Sequence, residues 1–123
     1  MKQALLVGTG SFLGGIARYL LSLLVQQKVM SVFPYGTLAV NISGCFLIGI
    51  VFGYGEKEIL HPDWKIFLAT GLLGGFTTFS AFSNESLGLM RIGNTYGAFI
   101  YIGASVLLGI LATFTGFSLM KLF

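Results

Sequence analysis

The sequence predicts an all-α integral membrane protein with four transmembrane helices. Three observations lead there. Only 9% of the residues are charged and 55% are hydrophobic, whereas a soluble domain carries roughly 25% charged residues. The apolar residues gather into four segments, each close to the roughly 20 residues a helix needs to cross the hydrocarbon core. The connections between them are short and leave no soluble domain. The expected spans are about 3–25, 35–54, 64–88 and 95–119, in a single domain covering 1–123.

The first span follows Lys2 and contains Arg18. A cleaved leader would need a shorter apolar run and a small-x-small cleavage site, so the segment reads as a retained span. The second span starts after Pro34, a residue suited to a helix start, and carries Asn41 in its middle and Cys45 in an apolar run. Cys45 is the only cysteine, so it reads as a small buried residue and says nothing about redox compartment. The connection GEKEILHPD is the most polar stretch, with Asp63 as the expected N-cap of the third span. His61 has no partner at ligand spacing and reads as a solvated loop residue rather than a metal ligand. The fourth span carries Tyr101, Ser105, Thr113 and Thr115.

The 18 glycines suit helices that pack closely in lipid. The net charge of +3 is dispersed, with no basic run, which argues against nucleic-acid binding. Lys2, Lys57, Lys65 and Lys121 flank one side of the membrane; Lys28 and Arg91 flank the other, with Arg18 leaning the same way. Four against three is almost no positive-inside bias. Dual topology is therefore expected, with two copies paired antiparallel about a two-fold axis in the membrane plane. Four helices are also a thin basis for a pore, which points independently to a homodimer.

Polar groups inside a span are costly and are functional candidates by default. The third span, FLATGLLGGFTTFSAFSNES, is the most unusual. Gly71, Gly74 and Gly75 are poor helix residues, and Thr77, Thr78 and Phe79 are not strong ones. A break is expected between about Gly74 and Phe79. It would free backbone groups at membrane depth, which are tolerated only when buried in protein or bound to something. Freed carbonyls can hold a hard cation such as Na⁺; a glycine packing kink without an ion fits the same residues.

Beyond the break, Phe79 and Phe82 are three apart, as are Ser80 and Ser83, so each pair shares a helix face. Phenyl edges carry positive quadrupole charge, and serine hydroxyls donate hydrogen bonds. Together they suit a small anion held weakly enough to leave, although such a phenylalanine pair also fits simple interhelical packing. Asn41 fits either an anion path or interhelical hydrogen bonding. Arg18 fits snorkelling to the interface, a charge at a pore mouth, or a pair with Glu85. No Ser-His-Asp, paired-carboxylate or metal-ligand constellation lies in the spans, which argues against an enzyme.

Three motifs stand in order: GGIARY, GTLAVNISG and GLLGGFTTFSAFSNE. Together they closely resemble the CrcB, or Fluc, family of fluoride channels over essentially the whole chain. The resemblance implies an antiparallel dual-topology homodimer in the bacterial plasma (inner) membrane, with two pores exporting cytoplasmic fluoride down its electrochemical gradient. It implies a structural Na⁺ at the dimer interface, held by backbone carbonyls of Gly74 and Thr77. It places Asn41, Phe79, Phe82, Ser80, Ser83, Tyr101 and Thr113 along the fluoride pore, Arg18 near the vestibule, and Glu85 as the acidic residue after the third motif. A small multidrug antiporter shares the four-span layout but needs an embedded carboxylate, for which only Glu85 is available. A membrane scaffold would need no hydroxyl track.

Overall fold

A computed structural model of the chain describes residues 1–57 and 59–123. These residues are helical apart from short connections, and four helices are long and apolar enough to cross a membrane: Lys2–Val29, Tyr35–Glu56, Pro62–Arg91 and Thr95–Leu119. Large apolar side chains face outward, with Phe12, Phe99, Ile110 and Phe114 each about two-thirds exposed. In water such a surface would drive association; in a bilayer it meets acyl chains.

The first helix runs to Val29, beyond the apolar stretch, because Gln26, Gln27 and Lys28 are good helix formers. It stops at Met30, a left-handed residue (φ 47°) whose N–H closes onto the Gln26 carbonyl. The second helix starts immediately after Pro34. At the third span, the N-cap is His61 rather than Asp63: Pro62 takes the first helical position and the His61 side chain accepts from the Asp63 N–H. Proline's fixed φ and missing N–H suit that first position, which moves the cap two residues earlier than the acidic residue suggested. Asp63 instead pairs with Lys2 at 2.5 Å, tying the start of the first helix to the start of the third span. Asn94 caps the fourth helix, accepting from the Gly97 N–H at 2.9 Å.

The third span is not a uniform α-helix. After Pro62–Lys65 it widens into a π-helix over Ile66–Leu73, then returns to α geometry over Gly74–Phe76. This leading half packs on the first helix, while the trailing half, Phe79–Arg91, packs mainly on the fourth. The leading contact depends on backbones meeting. A Cβ on Gly14 would run into the Leu72 carbonyl, and one on Gly75 would lie 2.5 Å from the Ser11 carbonyl. Ser11 Oγ donates to the Gly71 carbonyl at 3.3 Å inside the widened stretch. Gly71 and Gly75, read from sequence as helix breakers, thus serve close packing as well.

Two small cores result. One gathers Val40, Val51, Leu73 and Phe76. The other gathers Leu89, Ala98 and Tyr101, with Phe33, Leu38 and Phe82 against it.

Candidate ion pathway around Thr77 and Thr78

Thr77 (φ −81°, ψ 154°) and Thr78 (φ −146°, ψ 121°) are extended and separate the two halves of the third span. Only these two residues leave helical geometry; Gly74 and Gly75 stay helical. Two threonines are well placed to do this, since β-branched side chains favour extended backbone. Thr78 then caps the trailing half, its Oγ1 accepting from the Ala81 N–H at 3.2 Å.

The backbone groups of this stretch divide into two sets. Thr78 is fully used: its N–H donates to Asn41 Oδ1 at 2.8 Å, and its carbonyl accepts from Asn41 Nδ2 at 3.0 Å. The Asn41 amide therefore pairs with Thr78 as a neighbouring strand would. The Thr77 N–H and hydroxyl both turn back to the Leu73 carbonyl, at 3.0 and 2.9 Å. The Thr78 N–H, which in a continuous helix would reach the Gly74 carbonyl, goes to Asn41 instead, and among the described residues no donor reaches the Thr77 carbonyl. The Gly74 and Thr77 carbonyls form an array of neutral oxygen acceptors, the donor type a hard cation takes, so the residues present fit a Na⁺ ligand set. No group of three or more His, Cys, Asp or Glu that could hold a metal occurs among the described residues.

Beside this array lies a cavity of about 360 Å³, bordered by Asn41, Gly74, Thr77, Thr78, Phe79 and Phe82, with Ser105 on the facing helix. It lacks any cationic side chain. Phe79 is 79% exposed, although it sits in mid-span. Its ring lies 5.4 Å from that of Phe82 at 46°, and Phe82 lies 5.3 Å from Tyr101 at 53°. Behind Phe82, the fully buried Tyr101 donates to Glu85 Oε2 at 2.7 Å, and Thr37 donates to Glu85 Oε1 at 2.7 Å. Both carboxylate oxygens thus meet hydroxyl hydrogens, which lowers the cost of holding Glu85 within the span.

The remaining candidates are dispersed. Thr113 borders an adjoining groove of about 670 Å³ between the second and fourth helices, and its hydroxyl donates to the Gly109 carbonyl at 3.1 Å. Ser80 and Ser83 are exposed and do not border the cavity; Ser80 Oγ lies 3.3 Å from Thr78 Oγ1. Arg18 is half-buried on the first helix. The pair it was considered to form with Glu85 is not made within the chain, because Thr37 and Tyr101 occupy that carboxylate. Two roles escaped the sequence reading. Thr37 was not singled out, although it completes the Glu85 site. Ser105 was noted only as a polar residue, yet its Oγ is the one buried side-chain polar atom without a partner among the described residues, and it borders both cavities.

The model of the CrcB-like protein, Camphor Resistance (CrcB) family matches residues 5–117. Similar proteins include the fluoride-specific ion channel FluC of Flavobacterium psychrophilum, 48% identical over 122 residues covering 98% of each chain. That of Rhizobium meliloti is 45% identical over 126 residues, again 98% of each, and that of Nitratidesulfovibrio vulgaris is 44% identical over 117 residues, 94% of each. These relatives are named as ion channels and not as enzymes. With its four membrane-crossing helices and a match over nearly its whole length, the chain belongs to the CrcB family.

Proposed function

We propose that the chain is a fluoride-selective channel of the bacterial plasma membrane that lets cytoplasmic fluoride leave down its electrochemical gradient. The observation that carries this reading is the convergence of Asn41, Phe79, Phe82 and the unpartnered Ser105 hydroxyl on one cavity without a cationic side chain. A small anion there meets phenyl edges and neutral hydrogen-bond donors. Each attracts it weakly, so binding and release stay balanced, as conduction requires. A lysine or arginine in the same place would hold the ion too firmly. Asn41 keeps one amide hydrogen beyond its bond to Thr78, and Tyr101 shields the path from the Glu85 charge. Thr113 extends the polar lining into the adjoining groove, Ser80 and Ser83 would join the path only in the assembled dimer, and Arg18 raises the local anion concentration at the mouth.

The working unit in this reading is an antiparallel homodimer with two pores. Phe79 lies almost bare in mid-span, the Gly74 carbonyl has lost its helical donor to Asn41, and the Thr77 carbonyl has no donor among the described residues. A second copy related by a two-fold axis supplies a partner for each. Two arrays brought together would form an oxygen cage for a structural Na⁺, with the Gly74 and Thr77 carbonyls as its ligands. A bound Na⁺ would supply fixed positive charge that holds the two breaks together.

Reconstitution in liposomes with a fluoride electrode tests the reading. Rapid fluoride release without chloride loss is the expected result. Silence, together with proton-coupled uptake of a drug cation, would replace the channel with an antiporter.

A further inference from the structure

Phe82 and Tyr101 do not end the run of rings beside the cavity. Tyr101 is gripped on a further side by Phe33, whose ring lies 5.5 Å away at 77°, edge to face. Phe33 lies in turn 4.7 Å from Tyr35. Phe33 is in the irregular connection between the first and second helices, a poor place from which to fix a buried ring.

Gln26 removes that weakness. From the end of the first helix, its Nε2 donates to the carbonyls of Ser31 at 2.5 Å and Phe33 at 3.1 Å. Its Oε1 accepts from the Gly36 N–H at 3.1 Å. Ser31 Oγ adds a bond from the Phe33 N–H at 3.1 Å. Every polar atom of the glutamine is spent on the backbone on both sides of Phe33, and Gln26 and Phe33 are both half-buried. Gly36 sits so close to the first helix that a Cβ would strike the Ser22 carbonyl. The connection is therefore a clamped strap.

We propose that Phe33, seated by the Gln26 clamp, is a positioning residue for fluoride conduction, acting through Tyr101. The inference rests on the channel reading given above. With Phe82 and Phe33 both against it, the Tyr101 ring has one orientation, and its hydroxyl stays on Glu85. Without Phe33 the ring gains room to turn. The hydroxyl then leaves Glu85, and the carboxylate loses one of its two donors. The residue touches no ion in this account; it acts on the wall from outside.

The test uses full-length protein in liposomes. Phe33→Leu should lower fluoride release about three- to tenfold, the scale of one aromatic pair, while Phe33→Tyr restores it. Phe33→Leu placed on Tyr101→Phe should add little further loss, since both act through one hydroxyl. With fluorotyrosine labelling, the Tyr101 resonance, assigned by its loss in Tyr101→Phe, should broaden or split in Phe33→Leu. Wild-type flux in Phe33→Leu, full additivity with Tyr101→Phe, or an unchanged Tyr101 resonance would overturn the proposal. If Phe33→Leu gives no intact protein on size exclusion, Gln26→Leu carries the same three readouts. A wild-type protein that releases no fluoride would instead remove the channel reading itself.

Discussion

Replacing Asn41 with leucine removes an amide that makes two bonds to one residue, 3.0 Å to the Thr78 carbonyl and 2.8 Å from the Thr78 N–H. Leucine fills a similar volume and satisfies neither group. Side-chain hydrogen bonds within membranes are worth about 0.6–2 kcal/mol each, so the pair is worth about 1–4 kcal/mol. The cavity beside Thr78 has room for water, which softens the loss, and about 1–2 kcal/mol is the expected net cost. That corresponds to a factor of about 5–30 in a local opening equilibrium. Exchange of the Thr78 amide hydrogen should accelerate by this factor, with amides of the first helix unchanged, and fluoride release should fall with it. Asn41→Asp sharpens the comparison. It keeps the acceptor for the Thr78 N–H but sets a carboxylate oxygen against the Thr78 carbonyl, so the exchange change should be smaller and the flux loss at least as large. If Thr78 exchange stays at the wild-type rate in Asn41→Leu, the amide does not support the extended pair, and the argument fails.

Other outcomes follow from the same geometry. Phe79→Ile and Phe82→Ile should each cut fluoride release at least tenfold while the protein keeps its elution volume; normal flux in both would remove the aromatic-edge account. Replacing Na⁺ throughout with a larger organic cation should impair release if the free carbonyls at Gly74 and Thr77 hold the ion, and indifference would leave them as a packing feature. Gly14→Val forces a side chain into the Leu72 carbonyl, so thermal stability should fall by about 1–3 kcal/mol, the usual cost of overpacking, whereas Gly15→Val, where nothing lies within 4 Å, should leave it nearly unchanged.

The four helices were legible because crossing a bilayer demands long apolar runs, and such runs are plain in any sequence. Their ends were less so. The first helix continues to Val29 because Gln26–Lys28 favour helix even outside the apolar core, and Pro62 moves the third cap to His61. The π-helical turn over Ile66–Leu73 has no local signature; it arises where Gly10 and Gly14 let the first helix press against that stretch. The pairing of Asn41 with Thr78 links residues 37 apart, and that of Thr37 with Glu85 links residues 48 apart. Helical spacing placed Ser80 and Ser83 on one face, but only packing decides which face meets the cavity, and in the single chain it is not theirs. Ser105 looked like any serine in an apolar helix until its surroundings left its hydroxyl alone.

The carbonyls offered at Gly74 and Thr77 have a consequence for heredity and for mutagenesis. Every residue brings a carbonyl, so no substitution at these positions deletes an acceptor. A point mutation can only bend the array out of shape, through a changed φ, a bulkier neighbour or a lost amide at Asn41. Alanine scanning across the stretch would therefore pass over its most distinctive chemistry. Drift should tolerate varied side chains there as long as the turn is kept, and the sensitive positions should be those that hold the shape rather than those that lend the atoms.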